Sequence, residues 1–72
     1  MEWYAIITVF SGDKPSDTRF TTKENLDRCI EATKKDMKRY CKLCGRVSST
    51  YKSKAYMHDD GYLCADNIRV EV

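Results

Sequence analysis

The first apolar segment of the chain, residues 2–10, is rich in β-branched and aromatic side chains, and both alternating sets of its positions are apolar. The two sets are Trp3, Ala5, Ile7 and Val9, and Tyr4, Ile6 and Phe10. Alternation of this kind is typical of a β-strand, and two apolar sides predict a central strand or one covered on both faces. The turn-forming residues 11–17 predict a loop, from which the chain can return as a hairpin through 18–20.

A helical spacing of apolar positions replaces the alternation after residue 21. Thr21 and Glu24 match a capping box, in which the threonine hydroxyl accepts from a free backbone N–H and the glutamate reaches back to the cap. The residues on the apolar side of this predicted helix are Leu26, Ile30, Thr33, Met37, Tyr40, Cys41 and Cys44. Because Gly45 is suited to end a helix, the pattern predicts one long amphipathic helix over residues 22–44.

Strand-like alternation returns after the helix and predicts a β-hairpin. Over residues 47–57 one side holds Val47, Tyr51, Ala55 and Met57, and the other holds Ser48, Thr50, Lys52, Lys54 and Tyr56. Residues 58–61 contain Asp-Gly, a favoured pair in hairpin turns, so residues 62–72 are expected to form the returning strand. In that strand Leu63 and Ala65 are out of phase with Ile68, Val70 and Val72. One extra residue near Asp66 and Asn67, a bulge, would bring them onto one face.

These elements predict an α+β fold in the order β-α-β-β, with the helix packed on one face of a three- or four-stranded, mainly antiparallel sheet. The chain has 72 residues, of which 42% are hydrophobic and 33% charged. That length suits a single domain over residues 1–72 with one thin core. We find no internal repeat and no composition typical of a linker.

Charge and hydropathy restrict the function classes. The net charge of +2 arises from 13 basic and 11 acidic residues, a balance unlike that of proteins that coat nucleic acid non-specifically. No apolar run is long enough to span a membrane, and the start of the chain lacks the basic region of a signal peptide. We therefore expect a cytoplasmic protein with no membrane partner, whose four cysteines are reduced or bind a metal.

The sharpest local motif is Cys41-Lys42-Leu43-Cys44-Gly45, which resembles half of a zinc ribbon. The candidate zinc ligands would be Cys41, Cys44, His58 and Cys64, at unusual spacings. The alternative places Cys41 and Cys44 in the core of the last helical turn, and it is the interpretation we favour. A disulfide or redox role is disfavoured, since the C-terminus of a helix does not stabilise a thiolate. The sequence thus predicts no required cofactor, with zinc as the open alternative.

Basic residues crowd the end of the predicted helix and form a candidate partner-binding set. They are Lys34, Lys35, Lys38, Arg39, Lys42 and Arg46. They could contact phosphates or an acidic partner. A simpler interpretation is a solvated helix end, because acidic residues occupy the helix start and the arrangement complements the helix dipole.

A second candidate set lies on the sheet face that we expect to point away from the helix. Its members are Tyr4, Ile6 and Phe10 from the first strand and Lys52, Lys54 and Tyr56 from the hairpin. Aromatic rings interleaved with lysines can stack on bases or bind a protein. The glycine-aromatic run of RNA-recognition sheets is missing, which favours a protein interface or a homodimer seam.

No catalytic constellation is recognisable, and His58 is best explained as a turn residue, so we expect no enzyme. The sequence predicts a small protein-binding module that docks on a larger protein or nucleoprotein complex and sterically inhibits it. Accessory and anti-defence proteins of phages and mobile elements are often of this size. The alternative is a zinc-stabilised nucleic-acid-binding domain that uses the cysteine and histidine set above.

Overall fold

A computed structural model describes residues 2–11 and 17–72 and confirms the α+β class. Its helix packs on a curled antiparallel sheet, and it contains no helix, among the described residues, that is long and apolar enough to cross a membrane. The elements in chain order are β1 (Trp3–Phe10), β2 (Asp17–Thr22), a short 3-10 helix (Lys23–Asn25), α1 (Leu26–Cys44), β3 (Ser48–Met57), β4 (Leu63–Ala65) and β5 (Val70–Glu71).

The sheet is built around β1, which pairs antiparallel with β2 on one side and with β3 on the other. The spatial order is β2-β1-β3-β4, and β5 also pairs with β3. Because β2 and β3 are both antiparallel to β1, they run in the same direction. The helix therefore takes the chain across β1, from one side of it to the other, and covers one face of the sheet.

The strand register assigns every strand residue to one of two faces. On the face covered by α1, which we call the helix face, Ile6 packs against Leu26 and Ile30. Farther along the helix, the Phe10 and Tyr40 rings meet edge to face with centroids 5.4 Å apart. On the opposite face, which we call the open face, Ala5, Ile7 and Ala55 form a second buried cluster. The residues packed against that cluster are Trp3, Tyr51 and Ala65.

The predicted orientation of β1 is therefore wrong. We expected Tyr4, Ile6 and Phe10 to point away from the helix, but they lie on the helix face. Both alternating sets of β1 are apolar, so the pattern predicts two apolar faces without indicating which one the helix covers. Ile6 is completely buried and cannot contact a partner, which removes it from the predicted partner-binding set.

The predicted end of the helix is confirmed, and its predicted start is wrong in detail. Gly45 follows Cys44 with φ of 73°, in the left-handed region, and its N–H donates to the carbonyl oxygen of Cys41 at 2.8 Å. Thr21 does not form a capping box, because pairing with β1 extends β2 as far as Thr22. Thr22 makes no side-chain cap; its hydroxyl accepts instead from Asn25 Nδ2 at 3.3 Å.

The hairpin is present. The chain that returns along β3 is interrupted at the predicted position, but by more residues than predicted. Ala55 pairs with Ala65, and Lys52 pairs with Val70, so a step of three residues in β3 is matched by a step of five in its partner. The insertion thus amounts to two residues rather than one. Because two residues leave the alternation unchanged, Ala65 stays on the open face while Val72 packs against the helix cluster. Ile68 lies in the interruption and is exposed.

Candidate binding surfaces

The candidate zinc ligands are not brought together. The Cys41 thiol donates to Ser48 Oγ at 3.5 Å, at the first residue of β3, whereas His58 follows the last residue of β3. A ten-residue strand separates these two points, and such a strand is about 30 Å long. Ligands of one zinc ion must all lie about 2.0–2.3 Å from it. Within residues 2–11 and 17–72, no three side chains of the metal-binding types form a group.

The favoured interpretation of Cys41 and Cys44 as core residues is half right. Leu26, Ile30 and Thr33 of α1 are buried and Cys41 is partly buried, but Cys44 is exposed. The helix therefore leaves the sheet surface in its last turn. The pKa of Tyr40 lies above its ordinary value, chiefly because of its hydrogen bond to Cys44 and then its electrostatic interaction with the same side chain. The partly exposed Tyr40 ring and the Cys44 thiol thus form a solvent-facing pair at the helix end.

The predicted basic set divides into two groups. Lys34, Lys38 and Arg46 line a cavity of about 390 Å³ between α1 and the start of β3. Its remaining wall includes Met37 and Cys41 from the helix and Thr50 and Val72 from the sheet. The other predicted residues, Lys35, Arg39 and Lys42, are exposed on the helix without lining this cavity.

The lysines of β3 lie beside aromatic rings, as the sequence predicted, but on the helix face. Tyr4 is paired with Lys54 across the two strands. Lys52, Lys54, Tyr4 and Tyr56 line a second cavity, of about 360 Å³. Its other lining residues include Asp66, Ile68 and Val70. This part of the sheet extends beyond the edge of α1, so Tyr56 remains 54% exposed.

The open face is a binding surface that the sequence analysis did not propose. Around its buried cluster, Val9 and Phe20 are each 38% exposed and Met57 is 50% exposed. Trp3, Tyr51 and Leu63 are half-buried on the same face. No position that β1, β2, β3 or β4 gives to this face holds a charged residue. The signal in the sequence was the second apolar set of β1, which we took for the side under the helix.

At one end of the open face the surface is concave. A cavity of about 530 Å³ there is bordered by Trp3, Ala55 and Met57 of the open face, by Tyr4, Lys54 and Tyr56 of the helix face, and by Glu2. The chain matches no protein-family model, no curated protein and no solved structure. The open face and the basic cavities beside α1 are the features from which a function can be inferred.

Proposed function

We propose that this protein is a small, non-enzymatic binding module that docks on a larger protein through its open face. The observation on which this rests is the composition of that face. Its centre is apolar and its positions in β1 to β4 hold no charged residue, although no described element covers it. The register also gives this face Thr18, Thr22, Ser49 and Ser53, and Glu71 of β5, which pairs with Tyr51. Sheet residues that face water are normally polar, so an uncovered apolar face needs a partner.

The residue types of the open face are those of interface cores. Charged residues are depleted at the centre of protein interfaces, whereas aromatic residues and methionine are enriched. Trp3, Phe20, Tyr51 and Met57 surround the buried cluster of the open face. The cavity beside Trp3 and Met57 offers a place for one anchoring side chain of the partner, and anchored side chains supply most of the binding free energy.

The open face is also rigid enough to bind at low entropic cost. Its centre, formed by Ala5 and Ile7, is completely or almost completely buried, and β1 is paired along both edges. Rotamers that are already fixed in the free protein lose little freedom on association. The centre of the open face would therefore lose little freedom on binding.

The proposed effect on the partner is steric. A standard interface buries about 800 Å² on each partner, a modest share of the 5359 Å² of accessible surface of this chain. The whole body has extents of 39 × 25 × 19 Å, and the part outside the interface would project from the partner and obstruct access to the surface around it. Inhibition of a larger machine, in the manner of phage or mobile-element accessory proteins, is the form of this proposal that we favour.

The proposal is tested by photo-crosslinking inside cells of the native host. A photo-reactive amino acid is placed at Phe20 or at Met57, and at Leu43 as a matched control, because Leu43 is an exposed apolar residue far along α1. We expect one discrete adduct with a larger host protein from the first two positions and none from Leu43. Equal adduct patterns at all three positions, or no adduct at Phe20 and Met57, would contradict the proposal.

A second comparison separates docking from loss of folding. Met57→Lys should abolish the adduct formed at Phe20, because a charge within an apolar interface must be desolvated. Leu43→Lys should preserve it, and both variants should keep the melting temperature of the parent within a few degrees, since both sites are exposed. An adduct with twice the mass of the chain would instead identify a second copy as the partner and overturn the proposal of a foreign protein.

A further inference from the structure

The two basic cavities beside α1 are neighbours on one face of the sheet. Thr50 lines the first cavity and Lys52 the second, and these residues occupy successive positions of β3 on the helix face, about 7 Å apart. Val72 and Val70 connect the same two cavities along the end of the chain. We call these two neighbouring cavities together the basic trough. Its basic residues are Lys34, Lys38, Arg46, Lys52 and Lys54.

We propose that the basic trough binds single-stranded nucleic acid. Along β3 it extends from Ser48 to Tyr56, a distance of about 27 Å. A path of this length suits a short single-stranded segment of a few nucleotides, comparable with the smaller sites of single-strand-binding folds. The proposal concerns the helix face, whereas the proposed docking surface is the open face; the two surfaces meet at the cavity beside Trp3 and Met57, which Lys54 and Tyr56 also line.

The charge of the trough is what a phosphate backbone requires. Among the described residues, no carboxylate forms an ion pair with Lys34, Lys38, Arg46, Lys52 or Lys54. The acidic residues at the trough are Glu71 and Asp66. The Asp66 carboxylate already accepts from the Tyr56 hydroxyl at 3.4 Å and from the Asn67 N–H at 2.7 Å. The basic side chains are therefore available to replace the counterions of a polyanion.

The tyrosines of the trough favour a nucleic acid over an acidic peptide. Tyr4 lies beside Lys54 in the register, and Tyr56 follows Lys54 on the same face of β3. Each ring is thus placed where a base can stack while the neighbouring ammonium group contacts its phosphate. A single strand fits better than a duplex, because the bases of a duplex are stacked on one another and cannot reach the rings.

The test is fluorescence anisotropy with labelled oligothymidine and oligouridine, and with a duplex of equal length, over a series of salt concentrations. We expect salt-dependent binding of the single strands, with a slope in log K against log salt of about −0.7 for each phosphate contact. Lys38→Gln together with Lys54→Gln should weaken binding at least about fivefold and flatten the slope by about 1.4. Tyr56→Ala should weaken binding without changing the slope.

The matched control is Lys35→Gln together with Lys42→Gln, which removes the same net charge from residues outside the trough. This pair should retain most of the affinity of the parent. Equal loss in both pairs would show diffuse electrostatic attraction and overturn the proposal, as would absence of binding at low salt. Equal competition by polyglutamate would identify an acidic peptide as the ligand, and tighter binding of the duplex would contradict the single-strand assignment.

Failure of the trough proposal can be distinguished from failure of the proposed function. Phe20→Ser should leave oligonucleotide affinity unchanged, because Phe20 lies on the open face and lines none of the three cavities. If the trough variants lose oligonucleotide binding while the crosslinks at Phe20 persist, the two faces act independently. If oligonucleotide binding fails while those crosslinks persist, only the trough proposal is overturned.

Discussion

The two faces of the sheet bury neighbouring isoleucines by different means. Ile6 is 0% exposed because α1 lies over it, with Leu26 and Ile30 in contact. Ile7 is 1% exposed without any helix above it, because the side chains of its own curled sheet surround it. The two residues are therefore equally buried, but Ile6 is covered by the helix and Ile7 by its neighbours in the sheet.

This difference separates a structural surface from a binding surface. The buried apolar residues of the helix face pack against α1, and its exposed part holds Lys52 and Lys54 together with Tyr56 and Val70. On the open face, neighbouring sheet residues shield the centre from water, and Phe20 and Met57 around that centre remain partly exposed. An apolar border around a buried centre is the arrangement that a partner can complete.

The largest expected effect distinguishes the two isoleucines. Ile6→Ala should lower the free energy of unfolding by about 2–5 kcal/mol, because it leaves a cavity between β1 and α1 that rigid neighbours cannot fill. Ile7→Ala should cost less, since Trp3 and Tyr51 can relax into the space. Urea denaturation of both variants measures the difference. If Ile6→Ala does not fold, Ile6→Val, with an expected cost of about 0.5–1.5 kcal/mol, replaces it.

A cost for Ile7→Ala as large as that for Ile6→Ala would contradict the distinction. It would show that the open face is covered as tightly as the helix face. The natural cover would then be a second copy of the chain, and the cost would depend on protein concentration.

The next effect concerns the hydroxyl groups buried beneath the helix. Thr8 Oγ1 is buried on the helix face and has no hydrogen-bond partner among the described residues. Thr8→Val should therefore raise the free energy of unfolding by about 1 kcal/mol, because it removes an unsatisfied polar atom without changing the shape. Thr33 is equally buried, but its hydroxyl accepts from Arg19 Nη1 at 3.4 Å. Thr33→Val should be destabilising, and a loss of stability in Thr8→Val would show that its hydroxyl is paired.

An effect of similar size is expected at the end of the helix, where α1 ceases to cover the helix face. Gly45→Ala should cost about 1 kcal/mol, because a Cβ is disfavoured at φ of 73°. Apart from the two neighbours of Gly45 in the chain, no described residue has an atom within 4 Å of the position that this Cβ would take, so the expected cost comes from backbone strain. Gly45→Asn serves as the control and should cost less, since asparagine tolerates this conformation. Equal melting temperatures of the parent and Gly45→Ala would contradict the assigned helix end.

The smallest effect is a shift in titration at the same helix end. The raised pKa of Tyr40 keeps its phenol neutral to higher pH, and the first cause is the Cys44 side chain. Its contribution to stability is present below the ordinary pKa of tyrosine and is lost as the pH rises through the raised value. Cys44→Ala should therefore lower the pKa of Tyr40, followed by NMR of labelled tyrosine rings. An unchanged titration would show that the two side chains are not in contact.

Much of the fold follows from local pattern. The spacing from Leu26 onward and Gly45 predict the helix and its end, and the Asp60-Gly61 turn predicts the hairpin, with Gly61 at φ of 93°. The sequence does not indicate which face of β1 the helix covers, because both alternating sets of β1 residues are apolar. The size of the insertion after Ala65 depends on hydrogen bonds between residues far apart in the sequence. The main-chain N–H of Asp66 donates to the carbonyl oxygen of Lys54, and that of Val72 donates to the carbonyl oxygen of Thr50.

The candidate sites could likewise be predicted only where they depend on strand pairing, and not where they depend on how the helix packs on the sheet. The closeness of Tyr4 to Lys54 follows from strand pairing, and the structure places them side by side. The division of the basic residues between the trough and the outer helix depends on the angle at which α1 crosses the sheet. That angle is set by packing of Leu26, Ile30 and Tyr40, which no local spacing specifies. The open face was missed because the wrong set of β1 residues was expected to lie under the helix.

The measurement that tests the account most directly is NMR with a soluble paramagnetic probe, recorded on dilute protein. The signals of Val9, Phe20 and Met57 should broaden strongly, because these residues lie partly exposed on the open face. The signals of Ile6, Leu26 and Ile30 should stay sharp beneath the helix. Protection of Phe20 and Met57 equal to that of Ile6 would contradict the account, because the face proposed to receive a partner would already be covered.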